Sequence, residues 1–592
     1  MAEHAAEELR KKIKRILTGE LPSAKDIISE GRKIAAGLKI GRTEFFNMMD
    51  VSSEAEYKRR CIAERKIMYH CHIGMSTWQD TAGALQEIFR VSRKNDFIQD
   101  RAGLCLDRRM ALPSELREKA LAETGPMLET EDEWMNVGRA APIQPHMGDF
   151  MIGFPASVEN TVHALKAGVT TIGNLSQFFA HEAPMWRDQT ATVAATAKAI
   201  AIMGCLREQG TLFHSYLDDG FGALFTDSAT VAGWAMMEKY IVEDLFGAKI
   251  AHCMGGLITD PIKRSGWIFA LDEIHEHDCV GSMFFGDTLS LTADFSANRG
   301  VLAEYMLWDI ATQLECPTGH GLLNMPVTEA IRVPSVEEII DAQIFARRLE
   351  KAARRIHPLL DFTPSKCFAR KVVDEGKKVF ENAMSGLREF GVDIGDPVLM
   401  LYLLKSLGPA VFEEAFGAGA PDDEYSRGRK PVVPNDVFES SEACAAMYGS
   451  LFSADGSHHV FDGKRLIVAS TDVHEHALYV ISKLLRIAGA TIINIGPERN
   501  PEDIAETAAI EQPDAILVST HNGMALAYAH RLLDEMKERN VETPIFFGGV
   551  LNQKVDGETL PVDVTSDITR LNIRTIPDLN ALIASANELW DM

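Results

Sequence analysis

The chain has no apolar run near the length of about eighteen residues that a membrane-crossing helix requires. It also has no tandem repeat and no low-complexity tract. Residues 1–20 carry Glu7, Glu8, Arg10, Lys11, Lys12, Lys14 and Arg15 where a secretory signal would be apolar. No Cys-x-x-Cys pair occurs among the nine cysteines, and an odd, scattered set reads as reduced thiols rather than a disulfide framework. Positive charge is scarce: 60 Lys and Arg against 85 Asp and Glu leave a formal net charge of -25, which argues against nucleic acid or an anionic membrane as partner. The expectation is a cytoplasmic protein that acts on a small molecule.

At 592 residues, with 46% hydrophobic and 24% charged, the chain is too long for one core and suits two or three globular domains. Residues 1–60 read as amphipathic helices broken at Leu21-Pro22-Ser23, a cap or an oligomer contact in an expected homo-oligomer, a dimer. From 61 to 360 strand, loop and helix alternate. Strands are expected at 97–99, 169–172, 211–216, 249–252, 280–285 and 321–325, with 141–154 a further candidate, and helices at 191–208 and 229–245. This α/β alternation over about three hundred residues predicts a (β/α)8 TIM barrel, although fewer than eight strands are placed. Residues 361–416 read as a helical extension, and 417–463, rich in Gly, Pro and charge, as a linker.

In such a barrel the residues that end the strands face the active site: here Arg101, Asn174, Asp218, Asp219, His252 and Glu329. Each could equally cap a helix or bind water. Asp218 and Asp219 suit helix N-caps, a general base or a hydroxyl-binding carboxylate. Histidines crowd the same region: His70, His72, His146, His181, His214 and His252. His70 and His72 would share one face of a strand, but without an evident third ligand they suit hydrogen bonding better than a metal.

Residues 464–592 form a second α/β pattern, expected as a doubly wound, flavodoxin-like or Rossmann-like domain. An apolar run at 466–469 leads into Asp472-Val-His474-Glu-His-Ala477, and a helix at 477–488 leads out. The hexapeptide thus sits at a strand-to-helix turn, the carboxyl-end position where open α/β sheets place ligands. A second strand at 515–518 ends in Ser519-Thr-His521, and a third at 544–547 ends in Gly548-Gly549. An Asp-x-His pair alone is an ordinary solvated pair; placement and order give it meaning.

The set resembles the cobalamin-binding domain of corrinoid mutases and methyltransferases, whose signature is Asp-x-His-x-x-Gly, Ser-x-Leu, then Gly-Gly. The resemblance implies that His474 is the lower axial ligand of cobalt and Asp472 the carboxylate that orients it. Ser519 would line the slot for the nucleotide tail, and Gly548 and Gly549 would let tail and corrin edge approach the backbone. Ala477 stands where that family has Gly, and His521 where it has Leu. The preceding region is similar to the catalytic subunit of glutamate mutase (methylaspartate mutase): Arg101-Ala-Gly103, Gly153-Phe-Pro155, and Glu329-Ala-Ile331 followed by Val333-Pro334. That likeness implies an adenosylcobalamin-dependent radical isomerase in which Arg101 grips a substrate carboxylate and Glu329 contacts the adenosyl ribose. Asn174 replaces a carboxylate that binds the substrate amino group, and Met325 replaces a lysine, so a small carboxylic acid other than glutamate is the expected substrate. Two alternatives share the cobalamin signature: a corrinoid methyltransferase, and a non-catalytic cobalamin sensor or carrier.

Overall fold

Eight short runs of buried residues, each followed by a helix, make up the strands of the first part of the chain. The computed structural model describes residues 2–19, 21–120, 122–319, 321–329, 332–422, 425, 427–453, 459–471, 476–497, 499–520, 523–553, 555 and 561–590. It divides into two units, Met1–Asp436 and Val437–Met592.

The strands of the first unit are β1 (Met68–Ile73), β2 (Arg101–Leu104), β3 (Gln144–His146), β4 (Thr171–Ile172), β5 (Leu212–Tyr216), β6 (Ile250–Met254), β7 (Met283–Phe284) and β8 (Gly321–Leu323). All pairings are parallel, in two four-stranded sheets of order β3-β2-β1-β8 and β4-β5-β6-β7. Isolated contacts join the sheets at both seams: Met147 bridges Ile172, the Gly173 N–H donates to the Met147 carbonyl at 2.9 Å, and the Gly281 N–H donates to the Thr318 carbonyl at 2.7 Å. The expected closed barrel is therefore not present as one continuous ladder. Strands β4 and β7 are two residues long, too short to carry a regular ladder on both edges.

Two expectations shift. The strand expected at 97–99 begins instead at Arg101: residues 97–100 belong to no ladder, and the Asp100 carboxylate, rather than a backbone carbonyl, accepts the Tyr69 N–H at 2.9 Å. Strand β1 was legible only as a possible strand, since its two histidines interrupt the apolar pattern.

The long helix Thr363–Glu389 packs on helices Ser228–Lys239 and Pro261–Ile274. Gly233 and Gly376 permit the approach: a Cβ on Gly233 would sit 2.6 Å from the Val379 Cβ, and one on Gly376 2.7 Å from the Ala232 Cβ. Two further ties hold the helical extension to the carboxyl-end loops. Buried Glu413 accepts from the Thr226 and Asp227 N–H groups, and Lys405 donates to the carbonyls of Phe178 and His181.

The second unit is a parallel sheet of β9 (Arg465–Ser470), β10 (Thr491–Gly496), β11 (Ala515–Thr520), β12 (Ile545–Gly549) and, beyond a two-stranded ribbon of β13 (Asn552–Gln553) and β14 (Val562–Asp563), β15 (Arg574–Ile576). Its order is β10-β9-β11-β12-β15. Alternate residues feed opposite cores. Ile467, Ala469, Ile516, Val518 and Phe547 pack with Ile504, Ala529 and Leu532 on one face; Leu466, Val468, Leu517 and Phe546 pack with Leu484, Leu485 and Ala586 on the other. The segment 417–463, expected as a linker, contains the 18-residue helix Asp436–Ser453. Its apolar and small residues (Val437, Phe438, Ala443, Ala445, Ala446) follow the Pro- and Gly-rich part rather than belonging to it.

Candidate functional site

In an α/β unit the carboxyl ends of parallel strands are the side on which loops can gather polar groups. At that end of the first unit Asn174 caps the helix Leu175–Ala180. Its Oδ1 accepts from the Ser176 and Tyr216 N–H groups at 3.1 and 2.9 Å, and its Nδ2 donates to Asp219 Oδ2 at 2.7 Å. Gln177 donates to the same Asp219 oxygen at 3.1 Å and to Asp149 Oδ1 at 3.4 Å, and the His181 Nε2 lies 3.0 Å from the Asp219 carbonyl. Asp218 Oδ2 accepts two backbone N–H groups, of Gly255 and Gly256, each at 2.7 Å. Burial nevertheless raises its pKa above the ordinary aspartate value.

Glu329, in the turn after β8, is half-buried, and its carboxyl is pushed up to about 7 by burial and the charge of Glu338. The Cys105 thiol, just past β2, is driven well above its ordinary value by burial and by the charges of Asp149 and Glu329. Those two carboxylates and the thiol therefore share one neighbourhood.

Two of the expected residues point elsewhere. Arg101 opens β2 at its amino end and is fully buried; its Nε lies 2.8 Å from Glu54 Oε1, its Nη1 3.2 Å from the Met283 sulfur and its Nη2 3.5 Å from His214 Nδ1. Glu54 also faces Lys58 Nζ at 3.3 Å, on the helix Glu54–Glu64. The guanidinium expected to grip a substrate carboxylate thus already has an internal carboxylate. His252 projects to the other face of its strand: its Nδ1 lies 2.9 Å from His275 Nε2 and its Nε2 3.2 Å from Glu238 Oε2, in a buried layer with Ser215 and Trp234. Period-two alternation turns His252 outward while its neighbour Cys253 faces His214.

The remaining histidines gather inside. Ring centroids of His70 and His72 are 4.9 Å apart, those of His70 and His146 6.2 Å, and those of His146 and His214 4.9 Å. His146 Nδ1 donates to the Thr171 carbonyl at 3.1 Å, which leaves its Nε2 to accept from the Tyr216 hydroxyl. Burial and the Arg101 charge hold His70, His146 and His214 well below the ordinary histidine pKa, and His72 at about 4. Among the described residues no three His, Cys, Asp or Glu side chains are placed to hold a metal ion.

Sequence reasoning passed over Tyr216, Asp149, Gln177, Cys105 and Glu54. Tyr216, Asp149 and Cys105 lie at or just past strand ends, a signal available only once the strands are placed, and Gln177 sits in the helix Leu175–Ala180 that follows β4. Glu54 lay in a segment read as a cap.

In the second unit the strand order reverses direction between β9 and β11, the switch point at which open sheets bind ligands. Ser519 stands in register with Ser470 of β9 and Gly548 of β12, and the Thr471 N–H donates to the Ser519 carbonyl at 2.9 Å. A Cβ on Gly548 would come 3.3 Å from the Ile576 carbonyl, and Gly549 has φ +89°, so both positions suit glycine. Asp472, His474 and His521 lie outside the described residues, as does the side chain of Ala477 in the helix His476–Ile487.

This carboxyl edge falls within a known class: residues 464–565 match the family described as B12 binding domain. The chain is also similar to two proteins named fused isobutyryl-CoA mutase. The one from Paraburkholderia xenovorans (strain LB400) is 30% identical over 98 residues, 16% of this chain and 8% of that protein. The one from Geobacillus kaustophilus (strain HTA426) is 29% identical over 94 residues, again 16% and 8%. The 2-hydroxyisobutanoyl-CoA mutase small subunit of Aquincola tertiaricarbonis is 27% identical over 106 residues, 18% of this chain and 71% of that protein. The chain thus spans 8% of the length of the fused relatives. A serine and two residues without side chains at this switch point suit the close approach of a cobalamin tail.

Proposed function

We propose that this protein is a cobalamin-dependent mutase, a radical isomerase of a small molecule, of the kind that glutamate mutase exemplifies. The observation that carries the reading is the joining, in one chain, of a B12-binding sheet to an eight-stranded parallel unit whose strand ends gather polar residues. The mutases named among its relatives support the same reaction class. We take the eight strands as a (β/α)8 arrangement spanning residues 61–360, and the working protein as a cytoplasmic homodimer.

Adenosylcobalamin, when bound, supplies a weak cobalt-carbon bond whose cleavage starts radical chemistry. The chain supplies position. His474, with Asp472, would hold the cobalt of the cofactor, and Ser519, Gly548 and Gly549 would leave room for its tail. In the first unit Asn174 and Gln177 fix Asp219, while Gly255 and Gly256 fix Asp218, so these carboxylates are held in place for a substrate. Glu329, with a carboxyl near 7, can hold or release a proton at neutral pH. Phe285, whose ring centroid lies 4.8 Å from that of Tyr216, and buried Met325 pack in one apolar cluster beside these strand ends and would help to keep water from a bound substrate. A substrate carboxylate gripped by Arg101 is not part of this proposal, because Glu54 occupies that guanidinium.

Corrinoid methyl transfer is the second reading, favoured by the helix Asp436–Ser453 that precedes the B12-binding sheet. One experiment separates the two. The chain is reconstituted anaerobically with adenosylcobalamin and mixed with isobutyryl-CoA or glutamate and, in further runs, with other small acids and thioesters. A coupled cobalt(II)-organic radical signal in electron paramagnetic resonance is expected with the true substrate. Methyl transfer from methylcobalamin with no radical signal would overturn the mutase reading.

A further inference from the structure

Two thiols meet beside the seam between β7 and β8, on the side where both strands begin. The segments that lead into the strands run side by side there. The Gly281 N–H donates to the Thr318 carbonyl at 2.7 Å, and the Thr318 hydroxyl donates to the Ser282 carbonyl at 2.7 Å. Cys279 lies two residues before Gly281 and Cys316 two residues before Thr318. Hydrogen-bonded neighbouring segments lie about 4.8 Å apart, within the Cα separation of about 4.4–6.8 Å that a disulfide spans. The two side chains are in fact hydrogen-bonded to each other.

Their surroundings differ. Cys279 is buried, whereas Cys316, the residue that ends the helix Phe295–Glu315, keeps solvent contact. The Cys279 thiol donates to Asp272 Oδ1 at 3.0 Å, and Asp272 Oδ2 lies 2.7 Å from Nδ1 of the exposed His277. A thiol has one hydrogen, so with that of Cys279 given to Asp272 it is Cys316 that donates between the sulfurs. The bond to Cys316, burial and the Asp272 charge all raise the pKa of Cys279 and keep it protonated. A cysteine that only filled space would pack among apolar groups. This one is held between a carboxylate and a second thiol.

We propose that Cys279 and Cys316 are a reversible dithiol pair that closes into a disulfide across the β7–β8 seam by exchange with a low-molecular-weight disulfide. Cys316, the accessible thiol, attacks one sulfur of the small disulfide. That S–S bond breaks, a mixed disulfide forms on Cys316, and one small thiol leaves with the Cys316 proton. Cys279 then attacks the Cys316 sulfur, so that the mixed bond breaks and the Cys279–Cys316 bond forms. The Cys279 proton passes through the Asp272 carboxylate to the departing second small thiol. Two protein thiols are oxidised and one small disulfide is reduced to two thiols. The bridge would replace an isolated contact between the two sheets with a covalent one, and it needs no cofactor.

The test treats the full, reduced chain with glutathione disulfide, quenches it with acid, blocks remaining thiols with N-ethylmaleimide and maps tryptic peptides by mass. Cleavage after Arg264, Arg299 and Arg332 leaves Cys279 and Cys316 as the single cysteines of the adjacent peptides 265–299 and 300–332. These two should appear linked, lighter than their sum by two hydrogen atoms, and dithiothreitol should separate them. The exposed Cys205 and Cys367 should carry glutathione alone and so report that the reagent has acted. Cys279→Ser should stop at a glutathione adduct on Cys316, and Asp272→Asn should slow closure of that adduct at least about tenfold. Glutathione on Cys205 and Cys367 without the linked peptide would overturn the proposal. So would a link that forms only in urea, or either cysteine joined to a different one. Closure as fast in Asp272→Asn as in the wild type would overturn the proton path.

Discussion

Replacing Glu54 by glutamine isolates a fully buried electrostatic triad of the first unit. Its Oε1 lies 2.8 Å from Arg101 Nε and 3.3 Å from Lys58 Nζ, and all three side chains are fully buried. At an effective dielectric of about 20 each contact is worth on the order of 5–6 kcal/mol in gross Coulomb energy, much of it offset by desolvation. Removing one partner strands two buried cations, so the expected net loss is about 3–5 kcal/mol. Every tryptophan except Trp590 lies in the first unit, so urea unfolding followed by tryptophan fluorescence reports on it directly. The loss should persist in 0.5 M salt, because a buried pair is poorly screened. Glu54→Gln combined with Arg101→Met should recover part of it. A loss below about 1 kcal/mol would refute the reasoning, since Arg101 would then have to be compensated elsewhere and free to serve a substrate.

Glu413 is buried with its carboxyl pushed up to about 7, chiefly by burial, against an ordinary value of 4.5. A raised carboxyl favours the folded state below the unfolded pKa and loses that contribution as pH rises through the folded one. Wild-type stability should therefore fall between about pH 4.5 and 7 by on the order of 3 kcal/mol from this group, and Glu413→Gln should flatten the profile, as read by thermal melts across that range. Gly233→Ala places a methyl 2.6 Å from the Val379 Cβ, and an overpacking loss of about 1–3 kcal/mol is expected in the same urea assay. Ile516→Ala empties a fully buried position on the central strand β11, and calorimetry should show the second unit alone destabilised by about 2–5 kcal/mol.

The sequence and the structure agree where pattern is local. The run 466–469 and the apolar spacing after it were legible because strand alternation and helix periodicity both survive there, and β9 and the helix His476–Ile487 follow. Positions such as Asn174 and Asp218 at strand ends were legible for the same reason. Their partners were not: the amide of Asn174 serves Asp219 and the Tyr216 N–H, contacts 42 and 45 residues away that no local pattern encodes. Arg101 shows the limit most clearly. A three-residue likeness marked it as a substrate anchor, yet its fate depends on Glu54, a helix residue whose approach only the tertiary fold sets. His252 was misjudged by one step of strand alternation, which moves a side chain from the interior to the helical layer. The histidines were legible as a crowd suited to hydrogen bonding, but the packing of His70, His72, His146 and His214 against one another was not, because polar residues inside a parallel unit obscure the apolar signal that identifies its strands.

The central claim is that residues 464–592 hold cobalamin through the His474 imidazole. Electron paramagnetic resonance of cobalt(II)-cobalamin bound to the chain tests it most directly, with natural-abundance and 15N-histidine-labelled protein compared side by side. A histidine ligand predicts a three-line nitrogen splitting in the unlabelled protein that becomes two-line on labelling and disappears in His474→Ala. A splitting unaffected by the label, or one that survives His474→Ala, would contradict the account.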